Sequence, residues 1–239
     1  TDVVVTVRVR DTWNLIVLPY FKYDSNTGLL LSIRARDYNF FGTMQPLSID
    51  FDYERTETDE DLFTIAADFS VPFLLLDRRW ELIMREALEI QADELEFELD
   101  LGIGYSFDWL GLGWKAVYTE EYRYMTDDPE KDFYYFTSRI DFGSKLDTGL
   151  TLPAYGANEY QPNVYGKRSY RPGGISEERR GMAVGFEHAL RSGNYDWIGN
   201  YRNGQTVRIE NDNEYNIDFS EWDKTMSFLA AFYRALFPR

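Results

Sequence analysis

The sequence predicts an all-β protein. Three observations carry that reading: apolar and charged residues alternate over long segments, turn residues separate those segments, and no apolar run approaches 18 residues. Pleating sends successive side chains to opposite faces of a strand, so a period of two marks a strand with one apolar and one polar face.

The alternation is clearest in four segments. In 47–55, Leu47, Ile49, Phe51 and Tyr53 share one face, while Ser48, Asp50, Asp52 and Glu54 share the other. In 63–73, Phe63, Ile65, Ala67, Phe69, Val71 and Phe73 oppose Thr64, Asp68 and Ser70. In 94–106, Leu95, Phe97, Leu99, Leu101, Ile103 and Tyr105 oppose Glu94, Glu96, Glu98 and Asp100. In 206–219, Val207, Ile209, Tyr215, Ile217 and Phe219 oppose Arg208, Glu210, Asp212, Glu214 and Asp218.

Segments 29–36 and 133–142 follow the same rule less strictly, and 13–23, 114–124, 182–190 and 226–237 are further strand candidates. Residues 80–98 are contested, because Trp80, Ile83, Met84, Ala87 and Leu88 also fit helical spacing; even parity and strand neighbours favour a strand. Turns are expected at Asp24-Ser25-Asn26-Thr27-Gly28, at Asp127-Asp128-Pro129 and at Asn203-Gly204. Residues 147–180, rich in Gly, Pro, Tyr and Asn, read as a long surface loop.

Composition narrows the functional classes. A formal net charge of −16 over 239 residues argues against a nucleic-acid surface, which needs clustered Lys and Arg. The chain has no cysteine, so disulfides and thiol chemistry are excluded. A single histidine, His188, with no Gly-x-Ser-x-Gly elbow gives no support to a Ser-His-Asp triad or a zinc site. Gly102-Ile103-Gly104 and Gly111-Leu112-Gly113 lie outside any βαβ unit and read as strand kinks or turns. No cofactor, metal or catalytic residue is expected.

Alternation suits either a sandwich, which hides its apolar face, or a transmembrane barrel, which shows it to lipid. Dense charge on one face, strands of about 9–11 residues or longer, and Trp13, Tyr23, Tyr53, Trp80, Tyr105, Trp109 and Trp114 near strand ends favour an antiparallel transmembrane β-barrel. In that reading Arg34, Arg36, Asp50, Asp52, Glu94, Glu96, Glu98, Asp100, Arg208 and Glu210 face the lumen.

The order of features resembles the BamA/TamA-type family of outer-membrane assembly and secretion barrels. Residues 3–10 (VVVTVRVR) look like the last strand of a POTRA domain, giving a POTRA-like segment or linker at 1–11 and a barrel domain at 12–239. Residues 13–42 resemble the family's first hairpin, ending in the Asp37-Tyr38-Asn39-Phe40-Phe41-Gly42 turn, with Asp37, Asn39 and Gly42 as its motif. Asn203-Gly204-Gln205-Thr206 is similar to a later strand entry, and 228–237 to the aromatic strand that follows it.

The family's Arg-Gly-[Phe/Tyr] loop motif is absent, and about ten or eleven strands fit here against about sixteen in a full barrel. The chain therefore reads as the first half or so of such a barrel, or as a reduced relative. The resemblance implies a bacterial outer-membrane protein that assists insertion of outer-membrane proteins or translocates polypeptide. Its partners would be the lipid bilayer, unfolded outer-membrane clients and assembly lipoproteins. The seam strand would carry Trp13, Leu15, Val17, Pro19, Phe21 and Tyr23, with Pro19 weakening pairing at that edge.

The alternative is a soluble jelly-roll or sandwich that binds or cleaves carbohydrate. The Glu94–Asp100 row would then supply the paired carboxylates of a glycosidase.

Overall fold

The computed structural model describes residues 14–24, 28–55, 61–92, 94–126, 134–152, 156–175, 181–198 and 201–233. They form thirteen strands: β1 (Leu15–Asp24), β2 (Gly28–Asp37), β3 (Leu47–Arg55), β4 (Asp61–Leu75), β5 (Arg78–Gln91), β6 (Glu94–Trp109) and β7 (Leu112–Met125), then β8 (Tyr134–Ser144), β9 (Leu146–Leu152), β10 (Gly156–Tyr170), β11 (Gly181–Ile198), β12 (Tyr201–Asn216) and β13 (Glu221–Tyr233). All pair antiparallel in one sheet that runs in chain order, except that β10 lies against β8 and β9 in turn.

The all-β expectation stands, but the closed transmembrane barrel does not. Among the described residues β1 pairs only with β2 and β13 only with β12, so both ends of the sheet are edges. No seam joins first strand to last, and Leu15, Val17, Pro19, Phe21 and Tyr23 lie on an open edge strand instead. Trp13, the 1–11 segment and the turns at 25–27 and 127–129 lie outside the described residues.

Parity places the two faces as the sequence suggests. Polar side chains of neighbouring strands meet on one face, as in Arg34 with Asp50 and Arg123 with Glu98. Leu31, Ile33, Ile49, Ile65 and Leu101 occupy the other and stay about two-fifths to one-half exposed. Rings assemble there across strands. Trp80 meets Tyr105 at 4.8 Å, Phe107 meets Phe142 at 5.9 Å, and Trp114 stacks on Phe142 at 4.8 Å. Cross-strand aromatic pairs of this kind each add roughly 0.5–1.5 kcal/mol beyond burial.

Three local readings change. The contested residues are strand up to Gln91 and again from Glu94: β5 pairs with β4 along its whole length and with β6 from Arg79 to Gln91. The stretch 147–180 is mostly strand, because β9 and β10 occupy it. Pro162 falls where β10 passes from pairing with β8 to pairing with β9, so no ladder bond is demanded of it on that side. Asn203-Gly204 is not a turn but part of β12, opposite Asp196 and Tyr195; Gly204 takes a φ of 136°, which only glycine adopts easily inside a strand.

Candidate functional site

The polar face carries a cavity of about 1020 Å³, towards the end of the sheet where the β4–β5 and β6–β7 turns lie. Its lining comes from many strands: Arg79 on β5, Asp108 on β6, Lys115 on β7, Asp141 on β8, Asn163 on β10, Glu187 on β11, Arg208, Glu210 and Asp212 on β12, and Ser227 on β13. Residues so far apart in sequence can border one cavity only because the sheet curls and turns its polar face inward.

One wall is built around Arg139. Its guanidinium binds Asp141 at 2.8 Å and Glu187 at 2.7 Å, and it lies 3.9 Å above the Tyr165 ring. Asn163 donates to the same two carboxylates, at 2.8 Å to Asp141 and 2.9 Å to Glu187. Burial works against the Arg139 charge, but the two carboxylates outweigh it and hold its pKa above the usual arginine value. On neighbouring strands of the same face, Lys115 of β7 and Ser70 of β4 both donate to Glu81 of β5. Burial alone would raise the pKa of Glu81; those hydrogen bonds and the Lys115 charge bring it below the usual glutamate value.

The acidic row of β6 lies apart from this cavity. Arg123 joins Glu98 at 2.7 Å, Glu121 at 2.7 Å and Glu96 at 3.6 Å, so one guanidinium serves three carboxylates. Glu96 stands directly opposite Glu89, and Asp100 opposite Glu121. Burial and the Glu98 charge raise the pKa of Asp100. Oxygens of Glu98, Asp100 and Glu121 lie within 4.8 Å of one another, the one grouping among the described residues close enough to hold a cation. Arg123 already meets much of that charge, which weakens any demand for a metal.

Of the other residues singled out by sequence, Arg34, Arg36, Asp50 and Asp52 form one ion-pair network on β2 and β3. Arg36 reaches Asp50 at 2.5 and 3.2 Å, while Arg34 bridges Asp50 at 2.7 Å and Asp52 at 3.1 Å. The Arg36 hydrogen bond, aided by the Arg34 charge, holds Asp50 below the usual aspartate range. Arg208 and Glu210 pair with each other in the cavity wall, and Glu94 is exposed.

Asp37, Asn39 and Gly42 shape the β2–β3 turn. The Asn39 amide donates to the Asp37 carboxylate at 3.0 Å, and the Asn39 side-chain oxygen accepts from Met44 N–H at 2.8 Å. Gly42 supplies a φ of 73°. His188 lies away from the polar network, against Tyr160 at 3.3 Å and Asn211 at 3.1 Å.

Sequence reading did not single out Arg139, Asp141, Asn163, Tyr165, Lys167 or Glu187. Parity in 133–142 already places Arg139 and Asp141 on the polar face. Asn163, Tyr165 and Lys167 fall in a stretch whose Gly, Pro and Asn content reads as loop, which hides the face they share.

Fold and site define a protein built on a single open antiparallel sheet whose polar face is a network of ion pairs around a cavity. No protein-family model matches the chain, and no curated protein matches its sequence. With the sheet open and no family match, membership of the BamA/TamA-type family is not supported. The roles that resemblance implied fall with it: outer-membrane location, insertion of client proteins or polypeptide translocation, and partnership with the bilayer, clients and assembly lipoproteins.

Proposed function

We propose that the polar face is a binding surface for a polyhydroxylated ligand of the carbohydrate class, acting without catalysis. The cavity carries this reading. At about 1020 Å³ it can enclose a short oligosaccharide, and its lining mixes carboxylate and amide acceptors with guanidinium, ammonium, amide and hydroxyl donors. A sugar presents hydroxyls that both donate and accept, so it needs such a mixture.

A non-catalytic role is favoured by the place of the acidic row. Retaining glycosidases need two carboxylates about 5–5.5 Å apart beside the bound sugar. Oxygens of Glu98, Asp100 and Glu121 lie within 4.8 Å of one another, but these residues do not line the cavity and Arg123 engages two of them.

Calorimetric titration with a panel of oligosaccharides tests the reading. Binding by the whole chain is expected, with Asn163→Ala or Glu210→Gln weakening it at least tenfold, about 1.4 kcal/mol. Glu98→Gln is expected to leave it unchanged. No binding to any member of the panel would overturn the proposal. Glycoside hydrolysis lost in Asp100→Asn would replace it with the enzymatic reading.

A further inference from the structure

Tyr165 is 5% exposed and spans three strands. It starts on β10, crosses β11 at Gly185, and reaches β12 with its hydroxyl. Gly185 is opposite Tyr165 on one side and Glu214 on the other, and a Cβ at 185 would collide with the Tyr165 ring. The missing side chain is thus the channel through which the phenol passes.

At the far end the phenol oxygen lies 2.7 Å from Glu214 and 3.2 Å from each carboxylate oxygen of Asp212. A phenol carries one proton and can donate once. Glu214 is the nearer acceptor, and Lys167 holds it at 2.7 Å in the receiving position. Asp212 is then left facing the lone pairs of the phenol oxygen. That contact is attractive only if Asp212 is itself protonated and donates.

We propose that Asp212, Tyr165 and Glu214 form a proton-shared latch across β10, β11 and β12, closed when Asp212 is protonated and loosened when it ionises. In the closed state Asp212 O–H donates to Tyr165 Oη, and Tyr165 O–H donates to Glu214. On ionisation the Asp212 proton leaves to solvent and one of the two hydrogen bonds is lost.

The surroundings act in the same direction. Burial raises the pKa of Asp212, and the Glu187 and Glu214 charges raise it further; the Arg139 charge opposes them in part, and a Tyr165 hydrogen bond would oppose them only with the phenol proton turned to Asp212 instead of Glu214. Arg139 is already taken up by Asp141 and Glu187 on the β8 and β11 side, and Lys167 of β10 by Glu214. On β13, Asp223 stands opposite Glu214 and adds no positive charge, while Thr225 stands opposite Asp212. A group whose folded pKa is raised stabilises fully below its unfolded pKa, and loses that contribution as pH rises through the folded value. The latch therefore weakens from the ordinary aspartate range upward.

Carbon-13 NMR of the side-chain carboxyls across that range tests the latch on the full chain. Asp212 is expected to titrate above the ordinary aspartate range, and in Tyr165→Phe it is expected to move back down. Asp212→Asn places a permanent donor beside the phenol, so the loss of thermal stability between acid and neutral pH should shrink relative to the unaltered chain. Ordinary titration of Asp212, or titration unmoved by Tyr165→Phe, would overturn the proposal. The carboxyl titration decides the matter even if Asp212→Asn fails to fold.

Discussion

Arg36 and Asp50 show what a single side-chain pair contributes on this face. The two-point contact at 2.5 and 3.2 Å keeps the carboxylate ionised, yet both groups are still about a quarter to a third exposed, so water screens much of the gain. Arg36→Ala is expected to cost about 1 kcal/mol at neutral pH. Because the folded pKa of Asp50 is depressed, its stabilisation is present above the unfolded value and lost as pH falls through the folded one. Acid unfolding of Arg36→Ala should accordingly begin at a higher pH than in the unaltered chain, with circular dichroism as the readout. Gly185→Ala is the contrasting case, since it drives a methyl into a buried ring. A loss of about 1–3 kcal/mol is expected there, measured by denaturant unfolding. At this scale the sequence was half legible. Alternation places Arg36 and Asp50 on one face, but nothing in 156–170 announces that Tyr165 reaches Glu214, two strands away, over the glycine of the strand between.

Turns rather than strands limited what could be read at the scale of elements. Leu76 and Asp77 both take positive φ, near 55°, as do Leu110 and Gly111 at 55° and 75°. Two-residue hairpins favour Asn-Gly at such positions, and here Leu-Asp and Leu-Gly stand instead, so no turn signal precedes β5 and only the glycines at 111 and 113 mark one before β7. The helix formers of β5 then had no visible boundary, and helix competed with strand until the pairing with β4 and β6 decided it. Leu110 is 78% exposed at a φ that costs an ordinary L-residue about 1 kcal/mol or more. Leu110→Asn is expected to stabilise the chain by about 0.5–1 kcal/mol, seen as a higher denaturant midpoint with unchanged slope. Asn203-Gly204 errs the opposite way: a strong turn signal lies inside β12, because a glycine at φ 136° also fits an extended strand.

At the scale of the whole molecule, the described residues form a sheet without a conventional core. Among the described residues no side chain is less than 2% exposed, and Tyr165, Ala183 and Ala189 are the buried hydrophobic ones. Its apolar face therefore contributes less than burial of the same residues would give, and order rests on the strand ladders and the ion pairs of the polar face. Ladder protection falls off from the middle of a sheet to its edges, because an edge strand has one row of unpaired amides and opens locally at little cost. β6 and β7 are paired on both sides along nearly their full length, whereas β1 and β13 are paired on one side. Hydrogen–deuterium exchange should therefore be slowest in β5 to β8 and fastest in β1 and β13, with about half the amides of each edge strand exchanging early. Equal and strong protection of β1 and β13 would mean that both edges are paired in solution, and the open strand order would have to be abandoned. The ring clusters give a second gradient to compare. Among the described residues they tie β3 to β4, β5 to β6, β6 and β7 to β8, β8 to β10 and β12 to β13, but not β1 to β2, so exchange should be slower in β13 than in β1 if the rings add to the ladder. Phe107→Leu is the variant that separates the two causes: it leaves the pairing register intact and removes a ring between β6 and β8. Faster exchange confined to those two strands is expected if the rings share in the protection, and an unchanged pattern would assign it to the ladder alone.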